Sequence, residues 1–213
     1  MSDPQIQLCL VLHNHQPVGN FDGVFEDAYQ DSYLPFLNVF EKFEDLSISL
    51  HTSGPLMQWL QTNHPDYLNR IAQLVEAGRI EIIGGAFYEP ILPMIPRRDR
   101  VGQITRFSKW LKERVCSSVN GMWMPERVWE SCLTESLADS NIQYTVLDDY
   151  HFRRAGLKND QLTGYYIVED EGKTVRVFPG SEHLRYLIPF AEPEQTINHC
   201  RMLATQCPDS VVV

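Results

Sequence analysis

The sequence predicts an α/β protein with a mostly parallel sheet, wound as an incomplete (β/α)7 barrel. Three observations carry this. Short apolar runs alternate with segments of helical period along the whole chain. Polar and aromatic residues recur just after each apolar run, where a barrel of this type keeps its functional groups. The last residues, Ser210-Val211-Val212-Val213, read as the start of a seventh buried strand.

The elements follow in order. Residues 6–12 are a continuous apolar run and read as the buried first strand. Residues 24–40 are helical in character, with Pro35 expected to split them, because an interior proline removes a donor and clashes with the preceding turn. Residues 47–51 form the second strand. Residues 65–78 are the clearest helix: Leu68, Ile71, Ala72 and Val75 share a face, Pro65 suits the first turn and Gly78 the stop. Residues 80–83 are the third strand, and 97–115 a helix with Val101, Ile104, Leu111 and Val115 on one side. A short fourth strand at 121–124 is followed by a helix near 131–140, a fifth strand at 144–147 and a sixth at 174–178. Residues 192–205 are helical, with Ile197, Cys200 and Ala204 aligned. One domain is expected over 1–213. Complete barrels of this type need about 250 residues, so 213 residues ending in valines predict a fragment cut inside the seventh strand, with an exposed strand edge prone to aggregation.

Composition narrows the function. With 43% hydrophobic and 22% charged residues, the chain is neither a disordered tail nor a coiled coil. Its 18 Lys and Arg against 28 Asp and Glu give a net charge of −10, which argues against nucleic acid and anionic membrane as partners. No apolar run approaches the roughly 20 residues of a membrane span. The five cysteines form no CxxC pair, which disfavours a zinc knuckle, and they read as reduced thiols in a cytoplasmic protein.

The chemistry collects after the strands. His13 and His15 alternate along the first strand, so both point to one side, as a polar binding pair or a metal pair. His51 after the second strand reads as a hydrogen-bonded structural residue. Gly84-Gly85 serve close packing or unusual backbone angles, and no phosphate loop follows. Glu89 lies among aromatics. Glu126 lies between Trp123 and Trp129 with Arg127 adjacent; burial would raise its pKa and the guanidinium lower it. It is either a nucleophile or half of a Glu–Arg contact. Of Asp148 and Asp149, at least one reads as a cap of backbone groups.

His13-Asn14-His15-Gln16-Pro17, Gly84-Gly85-x-x-Tyr88-Glu89-Pro90 and Trp123-x-x-Glu126-Arg127-x-Trp129, in that order, resemble glycoside hydrolase family 57, above all its 4-α-glucanotransferase and α-amylase members. Val18-Gly19-Asn20-Phe21, Asp148-Asp149-Tyr150-His151-Phe152 and residues 184–190 extend the likeness over nearly the whole chain. The resemblance implies a retaining reaction on α-glucans or maltooligosaccharides, in a (β/α)7 barrel without a catalytic metal or other cofactor. It implies Glu126 as nucleophile and His13, His15 and Glu89 as sugar-binding residues, with Trp123 beside the nucleophile. Arg127 and Asp149 join them as candidate substrate-binding residues. The family's acid/base is an aspartate after the seventh strand. With the chain ending at Val213, little or no turnover is expected from these residues alone. Two other readings stay open: a non-catalytic carbohydrate-binding domain using the aromatic faces, and a metal-dependent barrel hydrolase using His13 and His15.

Overall fold

The computed structural model describes residues 4–116 and 118–213, so residues 1–3 and 117 of the expected domain lie outside the described residues. The expected first strand is two: β1 (Ile6–Leu8) and β2 (Val11–Asn14). Each half takes a different neighbour, as the stagger of a tilted barrel requires. β2 pairs in parallel with β3 (Ile48–Thr52), and β3 with β4 (Ile80–Ile82). A single parallel bridge from Gly84 to Met122 carries the sheet on to β5 (Gly121–Trp123). β5 pairs with β6 (Tyr144–Asp148), and β6 with β8 (Lys173–Gly180). An antiparallel β7 (Tyr166–Asp170), which the sequence reading did not contain, lies along β8. Its hairpin turns on Glu171 and Gly172, both with positive φ (49° and 77°), the pairing that two-residue hairpins favour.

The seventh position is filled by β9 (Ser210–Val212), which pairs in parallel with β1. Its other side meets the rest of the ring through Gly164 N–H donating to the Val211 carbonyl at 2.8 Å and Ser181 N–H donating to the Val213 carbonyl at 2.7 Å. The edge expected to stand unpaired is thus bonded on both sides.

The helices pack outside. α1 (Asp22–Ala28) and α2 (Leu34–Phe40) are joined by a π-helical turn, Tyr29–Tyr33. The expected break at Pro35 therefore falls one turn earlier. Pro35 sits in the first turn of α2, and the wider π spacing before it relieves the clash its ring would make with a preceding carbonyl. α3 (Gly54–Asn63) adds a helix to those the sequence predicts, with Pro55 in its first turn. Gly54 is compelled: a Cβ there would lie 2.4 Å from the Phe87 carbonyl. α4 (Pro65–Glu76), α5 (Arg97–Arg114), α6 (Leu133–Asp139) and α9 (Pro193–Gln206) fall where the periodicity places them. Two one-and-a-half-turn helices, α7 (Asp149–Arg154) and α8 (Glu182–Leu187), follow β6 and β8 directly.

The core lies between strands and outer helices. Leu37, Leu56, Leu60, Ile71, Ile104, Phe107, Leu111 and Met122 are fully buried. Phe107 of α5 meets Phe87 edge-on at 5.5 Å and His51 at 5.9 Å, so it links helix layer to site. Phe107→Ala should cost about 3–5 kcal/mol of stability by urea unfolding; a loss below about 1 kcal/mol would mean this layer is not tightly packed.

Candidate active site at the barrel mouth

The parallel register of β2 and β3 sets His13 directly beside His51. Their Nδ1 atoms are 2.8 Å apart, one donating to the other. His51 is fully buried, its ring set edge-on to Phe107, and Gly85 lies against its Nε2; a Cβ on Gly85 would come within 2.7 Å of that atom. Gly84 likewise leaves room for Val119. Neither glycine has positive φ, so both serve close packing rather than unusual backbone angles.

Trp123, at the end of β5, lies across the mouth and stacks on His13 at 4.4 Å and 11°. Glu89 enters from the loop after β4. Its side chain is only 7% exposed and bonds His15 Nδ1, with His13 Nε2 and His51 Nδ1 at 3.9 and 3.8 Å. His13, His15 and Glu89 each bring one potential metal-ligating atom within 4.8 Å of the others. The sequence-predicted sugar-binding residues His13, His15, Glu89 and Trp123 therefore form one cluster. His51, read as merely structural, is the residue that anchors it.

Glu126 stands apart from that floor. It is exposed at the rim rather than buried among Trp123 and Trp129. Its backbone is left-handed (φ 51°, ψ 8°), as is that of Arg127 (φ 50°) and of Glu89 (φ 49°). Such conformations cost on the order of 1 kcal/mol each for non-glycine residues and persist where surrounding structure enforces them. His151 of α7 supplies part of that enforcement: its Nε2–H donates to the Arg127 carbonyl at 3.0 Å. Arg127 does not pair with Glu126. Its Nε is 3.3 Å from Asp148, which also meets Arg185 at 3.5 Å, and its guanidinium lies 5.8 Å over Trp123.

Asp149 is not brought to the cluster. It is buried, both carboxylate oxygens bond Arg153 at 2.9 Å, and one also accepts the Glu182 N–H at 3.3 Å. Its neighbour Asp148 lines the mouth instead. Alternation along β6 was the signal that could have separated the two. A cavity of about 390 Å³ opens here, with His13, Trp123, Arg127, Asp148, Ser181 and Arg185 around its upper wall and Leu10 and Leu12 below.

Burial and the neighbouring His15 and Arg127 charges push the His13 pKa down to about 4, and burial likewise holds His51 well below the usual imidazole range. Burial raises Glu89, opposed by His15 and reinforced by the charge of Glu126, which places Glu126 within electrostatic reach of Glu89.

A ring of parallel strands with a carboxylate, imidazoles and an indole gathered at their C-terminal ends defines an α/β-barrel protein with a polar site at its mouth. Residues 9–213 match glycosyl hydrolase family 57, and the chain belongs to that family. An α-amylase from Dictyoglomus thermophilum is 48% identical over 201 residues, 94% of this chain and 29% of that protein. A 4-α-glucanotransferase from Thermococcus litoralis is 42% identical over 98% of this chain and 32% of its own length. The crystal structure of that transferase superposes with a TM-score of 0.94. A branching enzyme from Pyrococcus horikoshii, 16% identical, shares the fold with a TM-score of 0.68 over 86% of this chain and 47% of its own. The chain thus spans about a third of the curated relatives it matches.

The pH dependence follows with a definite sign. The unfolded chain, with His13 near 6.5, binds more protons than the folded one between about pH 4 and 6.5. His13 therefore adds stability above that window and loses it as pH falls through it, on the order of 3 kcal/mol. Glu89, raised, contributes in the opposite sense. Proton NMR should find the His13 imidazole titrating near pH 4, and His13→Gln should flatten the acid side of the stability curve; a midpoint near 6.5 would contradict the burial described.

Proposed function

We propose that this chain is the glucan-acting barrel of a retaining α-glucan enzyme, with Glu126 as nucleophile. The observation that carries the reading is the enforced left-handed turn at Glu126 and Arg127, set beside a floor of Trp123, His13, His15 and Glu89. An α-glucan or maltooligosaccharide would lay a ring against Trp123. Its hydroxyls would meet His13, His15 and Glu89, which offer donors and acceptors at once. The Glu126 carboxylate would attack the anomeric carbon, forming a glycosyl ester as the bond to the leaving oxygen breaks. A second carboxyl, about 5–5.5 Å away, protonates that oxygen and then takes the proton of the acceptor. Water as acceptor gives hydrolysis, and a sugar hydroxyl gives transglycosylation. Arg127, pinned by Asp148 over Trp123, would position the indole and the turn.

Among the described residues no helix is long and apolar enough to cross a membrane, and the cysteines are free thiols, which supports a reducing, cytoplasmic compartment. The partner is a glucan, with no role for nucleic acid.

The nucleophile can be tested without the acid. Fluoride leaves without protonation, so 5-fluoro-α-glucosyl fluoride should label the chain with one sugar unit on Glu126, seen by intact mass and peptide mapping. Glu126→Gln should give no adduct. Labelling elsewhere, or undiminished in that variant, would assign the role to another group.

A further inference from the structure

We propose that His13, His15 and Glu89 also form a three-ligand site for a divalent transition-metal ion of the zinc type, and that the ion and a glucan compete for it. Three features of the cluster point there. The donor set is two imidazole nitrogens and one carboxylate, a combination zinc takes in open, three-ligand sites. Tetrahedral zinc with bonds of about 2.0–2.2 Å puts its ligand atoms roughly 3.4 Å apart. The observed separations, 3.9 Å from His13 Nε2 to Glu89 Oε1 and none above 4.8 Å, reach that by small side-chain rotations.

The outer contacts are of the kind metal sites use. A ligating histidine usually bonds a second group through its other ring nitrogen, which fixes ring and tautomer. His13 does this with His51, which is itself wedged between Gly85 and Phe107. The arrangement leaves His13 Nε2 facing Glu89. An ion there selects the tautomer in which His13 Nδ1–H donates to His51. His51 Nε2 has no partner among the described residues in either tautomer, so the choice the ion imposes costs little there.

Charge supplies the third feature. Among the described residues the ionic partners of Glu89 are imidazoles only, with no Lys or Arg in reach. A cation would neutralise a carboxylate that is almost fully enclosed. It would sit where the glucan reading puts sugar hydroxyls; the competition, though not the binding, rests on that reading.

Calorimetric titration of the chain with zinc chloride should give one ion per chain, removed by EDTA. His15→Ala and Glu89→Gln should each weaken binding by at least about tenfold, with circular dichroism unchanged. Cys132→Ser, at an exposed thiol, should bind as before. Cobalt substituted for zinc should show no thiolate charge-transfer band. Saturating maltohexaose should lower the apparent zinc affinity. No zinc binding, binding indifferent to both ligand variants, or binding lost with Cys132 would overturn the site. Zinc bound at these residues undiminished by a sugar that itself binds would overturn the competition. Zinc bound at these residues with no maltohexaose binding supports the metal site and counts against the glucan reading alone.

Discussion

The mouth of this barrel is organised by one constraint: two histidines on neighbouring parallel strands fall in register and must share a hydrogen bond inside a space with no room for another side chain. Gly85 exists to leave that space, and Phe107 closes it from the helix layer. Once His51 is fixed, His13 has one orientation. Its outer face receives the indole of Trp123 and its outer nitrogen turns toward Glu89. Each group of the floor is thereby placed by packing behind it. His13, His51 and Trp123 lie on strands, which gives the floor the precision of rigid elements.

The rim works differently. Glu126 and Arg127 are held in conformations their side chains disfavour, and the holding comes from the next βα unit: His151 on the carbonyl, Asp148 on the guanidinium. Floor and rim are built differently, one packed and buried, the other strained and open, and Arg127 over Trp123 joins them. The chain belongs to family 57 and superposes closely on a 4-α-glucanotransferase, over the third of that relative that it spans.

Most of the strands and the long helices could be read from the sequence because burial on both faces writes unbroken apolar runs, and outer helices write a 3.6-residue stripe. What could not be read has specific causes. The break between β1 and β2 is set by which neighbour each half pairs with, and residues 6–12 alone carry no record of that. α3 was hidden because Gly54-Pro55 serves turns and helix starts equally. β7 has one face to solvent, with Ile167 and Glu169 outward, so it lacks a buried strand's run. In the site, the motif loops were legible because polar residues after apolar strands are conspicuous. The partition between Asp148 and Asp149 needed the end of β6 as well as its alternation, because β6 stops at Asp148 and Asp149 already opens α7. The exposure of Glu126 was invisible, because adjacent tryptophans in sequence need not enclose the residue between them.

The pairing of β1 with β9 carries a consequence for how the molecule forms. The earliest and latest strands are partners, so the ring cannot shut until nearly every residue from 6 to 212 is available. Contacts of such long sequence separation are entropically late and slow. A ribosome-bound chain would hold an open crescent, with β2, β3 and β4 able to associate early, until β9 has emerged.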